Sequence, residues 1–124
     1  MVTTEIAFTI FLYLYRDAAN FSVLGTLLLR GACTARMEHF IRANCDSHEY
    51  FVAEQVRVPT LYAGPYKLSN GPTIDDVAFH EFLGLRPATS DDVASLKCSG
   101  KLYDLAGKFC GVRRWDCALS PHCW

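Results

Sequence analysis

The stretch "FTIFLYLYR", residues 8–16, constrains the fold more than any other part of this 124-residue chain. Read as a strand, it places Phe8, Ile10, Leu12 and Leu14 on one face and Thr9, Phe11, Tyr13 and Tyr15 on the other. No polar face recurs at helical spacing. A strand that is apolar on both sides belongs at the centre of a sheet, with helix over one face and further protein or a partner over the other. The apolar run from Ile6 to Tyr15 is about half the roughly 20 residues that a membrane-spanning helix needs. Its early charge is Glu5 rather than a basic segment, and Arg16-Asp17 follows it where an export signal would carry small residues. The expectation is a cytoplasmic protein without membrane association.

"RDAAN" then supplies turn residues, Asp17 and Asn20, so Phe21 to Arg30 reads as a second strand in a hairpin. Gly25 inside it marks a bulge or a close approach. Thr34 is a fitting N-cap for a helix through about Asn44, with Met37, Phe40, Ile41 and Cys45 as its apolar stripe. Arg36, Glu38, His39 and Arg42 cover the rest of that helix. "EYFVAEQVRVP" reads as a third strand, with Tyr50, Val52, Glu54, Val56 and Val58 on one face and Pro59 ending it. Residues 60–76 hold the breakers Gly64-Pro65 and Asn70-Gly71-Pro72 and form a long loop of the kind that often carries function. A fourth strand, about Val77 to Arg86, sets Val77, Phe79, Glu81, Leu83 and Leu85 on one side. Thr89 or Ser90 caps a following helix, and Ser99 to Phe109 is helical, packing Leu102, Leu105 and Phe109.

The pattern predicts an α+β fold: a roughly four-stranded, mostly antiparallel sheet with two or three packed helices, in the order ββαββα. Residues 1–109 make a single domain and 110–124 an irregular C-terminal tail. With 51% hydrophobic residues the chain can bury a core without covalent staples, so its six cysteines are expected as reduced thiols. Cys33 and Cys45 bracket the first helix as small buried hydrophobes. A net charge of -1, with basic clusters no longer than pairs such as Arg113-Arg114, gives no footprint for nucleic acid.

Chemistry concentrates in "GPTIDDVAFHEF", residues 71–82. A catalytic reading makes His80 a general base, oriented by Glu54, Glu81 or Asp76. Strand alternation, however, sends His80 and Glu81 to opposite faces, so the two cannot pair directly. Glu54 and Glu81 each sit among apolar neighbours on their strand faces. If those strands pair, the two carboxylates would approach, and burial with like charge would raise one pKa. The cost of burying an unpaired carboxylate favours a simpler reading, in which each faces solvent or meets an arginine such as Arg16 or Arg57. Asp75 and Asp76 read as turn residues, and His39 and His48 as solvated positions. Cys110, Cys117, His122 and Cys123 are zinc-ligand types, but C-x6-C-x4-H-C lacks the short paired hooks of zinc modules. Asp75, Asp76 and His80 make no stronger set. Nucleotide-binding and hydrolase motifs are lacking. Neither metal nor cofactor is expected.

Three separated blocks, "LYLYRDAANF", "EYFVAEQVRVPTLY" and "GPTIDDVAFHEFLGLRPAT", together resemble a family of short, uncharacterised bacterial proteins of the kind carried on integron gene cassettes, the mobile metagenome. The resemblance covers about residues 10–95. Where the family commonly has Trp, this chain has Phe79. The resemblance implies a compact cytoplasmic α+β fold and an accessory role, and it brings no assigned activity. The tail lies outside it. "GVRR" matches what the core of a cassette recombination site would encode, so the tail's cysteines need not be a selected metal site.

The leading functional expectation is a binding module for a small molecule or a protein partner. Tyr62, Tyr66 and Phe79 are its contact residues, beside the 60–76 loop. Two-sided apolar strands also point to a homodimer closing a sheet face or edge. The alternative is a small acid–base enzyme, hydrolase-like, using His80 with Glu54, Glu81 or Asp76. An interaction protein without a small-molecule site is the third class. An enzyme requires a pocket where His80 and a carboxylate converge; a binding module requires an aromatic-lined pocket without that convergence.

Overall fold

In a computed structural model that describes residues 7–17, 20–62 and 77–117, β1 (Phe8–Arg16) takes the central place its two apolar faces demand. β2 (Ser22–Arg30) pairs antiparallel with it in a hairpin, and β4 (Phe79–Pro87) pairs antiparallel on its other side. The hairpin uses both expected turn residues. The Asp17 carboxylate accepts the Phe21 N–H at 2.9 Å, and Asn20 adopts a left-handed φ of 69°. Gly25 proves to be a close approach: a Cβ there would lie 2.8 Å from the Tyr13 ring opposite it.

Beyond the hairpin come α1 (Ala35–Ala43), β3 (Tyr50–Val52), a 3-10 turn over Ala53–Gln55, then β4, α2 (Ser90–Ser95), β5 (Cys98–Lys101) and α3 (Leu102–Gly111). The sheet order is β3-β4-β1-β2-β5, antiparallel throughout except for β5, which runs parallel to β2. The α+β class is as expected, but among the described residues the sheet has five strands rather than about four. β5 is four exposed residues without alternation, and only its pairing with β2 makes it a strand. Both predicted caps form. Thr34 Oγ1 accepts the Met37 N–H, and Thr89 with Asp92 closes a reciprocal capping box. Among the described residues no helix is long and apolar enough to cross a membrane.

The core lies on one face of the sheet. Phe11, Tyr13, Leu27, Leu29 and Phe82 meet Ile41 of α1 and Leu102, Leu105, Ala106 and Phe109 of α3 there. Fully burying side chains of this size contributes about 1.5–3 kcal/mol each. Trp115 closes the core from the C-terminal side, with its ring 5.7 Å from Phe109 and its indole N–H donating to the Asn44 carbonyl at 2.9 Å. On the opposite face Ile10 and Leu28 are buried, but Leu24 and Leu83 remain 59% and 44% exposed.

Two strands depart from simple alternation. β3 ends at Val52, because the chain turns through the 3-10 segment and keeps Val52, Ala53, Val56 and Val58 all buried. Glu54 is therefore on a turn, not on the strand face predicted for it. In β4 the register with β1 slips, so that Phe82 opposes Tyr13 while Gly84 opposes Leu12, leaving Leu83 as the extra residue of a bulge. The slip brings Leu85 opposite Phe11, beside His80 and Phe82 on the core face. β3 is too short to cover this part of β4, and side chains of α1 stand in for it. Glu38 Oε1 accepts the Leu85 N–H at 2.7 Å, and Arg42 donates to the Leu83 carbonyl at 3.1 Å. Gly84, at φ 150°, leaves room for Glu38, whose oxygen would lie 2.6 Å from a Cβ. Side chains of α1 thereby satisfy these backbone groups of the edge.

Candidate functional site

His80 sits on β4 between Tyr15 of β1 and Phe51 of β3 and is 0% exposed. The rings of Tyr15 and Tyr62 lie 5.2 Å from it, and those of Phe51 and Tyr13 at 6.0 and 6.1 Å. Its Nε2 accepts the Leu61 N–H at 3.1 Å, which fixes the proton on Nδ1. Nδ1 is buried with no hydrogen-bond partner among the described residues. Burial disfavours the imidazolium and lowers the pKa to about 4, with the Ala78 carbonyl acting weakly in the opposite sense. The ring is thus neutral near pH 7, and its free lone pair is already engaged by the backbone.

The neighbours of His80 are also occupied in holding the chain. The Tyr62 hydroxyl lies 3.3 Å from both Glu54 Oε2 and the Ala78 carbonyl. The Tyr15 hydroxyl accepts the Val77 N–H at 3.1 Å. The Tyr13 hydroxyl donates to the Pro59 carbonyl at 2.7 Å, and burial pushes its pKa up to about 12. The arrangement ties the chain around 59–62 to that around 77–80. Chemically it is a set of backbone clamps.

Among the described residues the candidate catalytic residues do not converge. Glu81 lies on the other face of β4, 3.2 Å from Arg16, so the arginine-paired reading holds for it. Glu54 reaches Tyr62 through Oε2, while its Oε1 is buried without a partner among the described residues. The approach of Glu54 and Glu81 that strand pairing would allow does not occur, because the 3-10 turn and strand alternation place them on different sides of β4. Asp76 and Tyr66, like Asp75, lie outside the described residues. Of the predicted contact residues, Tyr62 is buried within the clamp, and Phe79 stacks edge-on to Tyr50 at 6.5 Å.

The cysteines correct one expectation. Cys33, Cys45, Cys98 and Cys110 are free, but Cys117 is disulfide-bonded, so reduced thiols throughout do not hold. Residue spacing does not reveal which sulfurs meet in space. A sulfur so engaged is also no thiolate ligand for zinc. Burial pushes the Cys45 thiol up to about 12, as befits the buried hydrophobe predicted there.

Open space for a ligand lies elsewhere. A groove of about 570 Å³ runs between α1 and α3. Thr34, Arg36, Met37 and Phe40 form one wall, and Tyr103, Ala106, Gly107, Cys110 and Gly111 the other. Phe40 and Tyr103 are 40% and 77% exposed. A Cβ at Gly107 or Gly111 would meet nothing within 4 Å, so these glycines keep the trough open. Sequence reading overlooked this site. Its signal was present: Gly107 inside the helix costs roughly 1 kcal/mol in propensity and calls for a reason.

No protein-family model, curated protein or solved structure matches the chain. The function must be read from the groove and the clamp.

Proposed function

We propose that the protein works by binding an apolar small molecule in the groove between α1 and α3, as an accessory protein of the integron-cassette kind. The observation that carries this reading is an open apolar trough walled by Phe40, Met37 and Tyr103, with no carboxylate or histidine among its described lining residues. Its volume falls within the roughly 300–1,000 Å³ of small-molecule sites. The acid–base alternative has less support, since His80 is buried, neutral and bonded to the backbone, and Glu81 is paired with Arg16 on the other face. The test is steric. Gly107→Leu fills the trough at a position where added atoms meet nothing, so binding of an environment-sensitive apolar dye should fall at least tenfold while the circular dichroism spectrum stays unchanged. Undiminished binding by that variant would rule the groove out.

A second reading concerns assembly. Exposed Leu24 and Leu83 at the open end of the sheet's other face support pairing with a second copy there. Sedimentation of the wild type and of Leu24→Lys tests it, with a monomer in both cases counting against it.

A further inference from the structure

Resting on the groove reading above, we infer that the groove's ligand is a single-chain amphiphile bearing an anionic head, a free carboxylate of fatty-acid type, with Arg36 as the head-group partner. Among the described residues, Arg36 is the one charged side chain lining the trough. It lies in the first turn of α1 beside the N-cap Thr34, so positive charge and a hydroxyl sit together at one end of that wall. From there the wall continues through Met37 and Phe40 and is wholly apolar. Arg16 and Arg86 are each paired with a carboxylate, whereas Arg36 forms no ion pair among the described residues. The positive end of the α1 dipole adds to the same charge. A guanidinium fork accepts a carboxylate through two parallel hydrogen bonds, which fixes a head group while the chain lies in the trough. A neutral apolar molecule would leave this end unused, and a cationic one would be repelled.

Two exposed thiols make the test internal to the protein. Cys110 lines the groove and Cys98 lies outside it, on β5. The alkylation rate of each is followed by peptide mass spectrometry, with dodecanoate, dodecanol or dodecyltrimethylammonium added below its micellar concentration. Dodecanoate should slow Cys110 at least tenfold without slowing Cys98, and should half-saturate at a concentration at least tenfold lower than the other two. Arg36→Gln should erase that preference, and Arg36→Lys should restore part of it. Equal protection by all three probes, or an unchanged preference in Arg36→Gln, overturns the head-group assignment and leaves the groove reading standing. If no probe protects Cys110, both fall. If Cys110 is slow without any probe and quickens on dilution of the protein, a second copy covers the groove, and the amphiphile is overturned in its favour.

Discussion

The nest of rings around His80 and the trough between α1 and α3 both belong to the helix-covered side of the sheet, yet they differ in what they offer a ligand. The nest holds the titratable groups: an imidazole, a carboxylate and three phenols within one packed region. Each hydroxyl and the imidazole Nε2 is spent on the chain itself, at Pro59, Leu61, Val77 and Ala78. The described lining of the trough has no carboxylate or imidazole, with Arg36, Tyr103 and Cys110 as its titratable groups, but it has open volume and exposed aromatic surface. Chemistry-bearing residue types gather where the backbone needs partners, while the capacity to bind follows from space that neighbouring side chains leave unfilled.

Breaking the nest should cost most. His80→Ala removes a fully buried ring and the acceptor for the Leu61 N–H, and is expected to destabilise the protein by about 3–5 kcal/mol in urea unfolding. A variant that folds with wild-type stability would mean that His80 is no clamp. The same residue predicts a pH dependence. Its folded pKa of about 4 lies below the ordinary 6.5, so the unfolded chain binds the extra proton first. Stability from this group is whole above pH 6.5 and is lost as pH falls toward 4, by roughly 2–3 kcal/mol across that window. His80→Gln should flatten this limb of the stability curve, and an unchanged limb would assign it to other groups.

A smaller effect sharpens the comparison from the side of the trough. Glu38→Ala strips the Leu85 N–H of its acceptor at the β4 bulge, where α1 is fastened to the sheet. The expected cost is about 1–2 kcal/mol, with amide exchange faster at Leu85 than at Leu61. The smallest effect belongs to Tyr103→Ala. At 77% exposure, the ring should contribute no more than about 0.5 kcal/mol to stability, although its loss should weaken dye binding severalfold. A large loss of stability there would make Tyr103 part of the core and not a wall of a site.

Much of this was legible in residue order. Alternation set β1 at the centre, Thr34 and the pair Thr89-Ser90 marked their helices, Gly25 signalled a bulge or a close approach, and neighbouring positions on one strand separated His80 from Glu81. Other features were not. The apolar alternation of "EYFVAEQVRVP" runs on past Val52, but the chain turns there and buries Val52 and Ala53 in succession, which a period of two forbids. Gly84 was the visible trace of the bulge, and it could not say which residue would be extra. β5 carries no pattern because both its sides meet water, and its strand character comes from β2 alone.

The order of residues settled the α+β class, the central strand, the starts of α1 and α2 and the opposite facing of His80 and Glu81, since sterics, capping and alternation act over a few neighbouring positions. The helix expected from Ser99, by contrast, begins only at Leu102, after β5. The packed structure alone settled that His80 is sealed, that Glu81 rather than Glu54 meets Arg16, and that Phe40 faces Tyr103 across open space. Those outcomes depend on which distant segments come together. Burial, the pKa shift that follows from it, and the volume left between two helices are properties of that assembly and of no single stretch of chain.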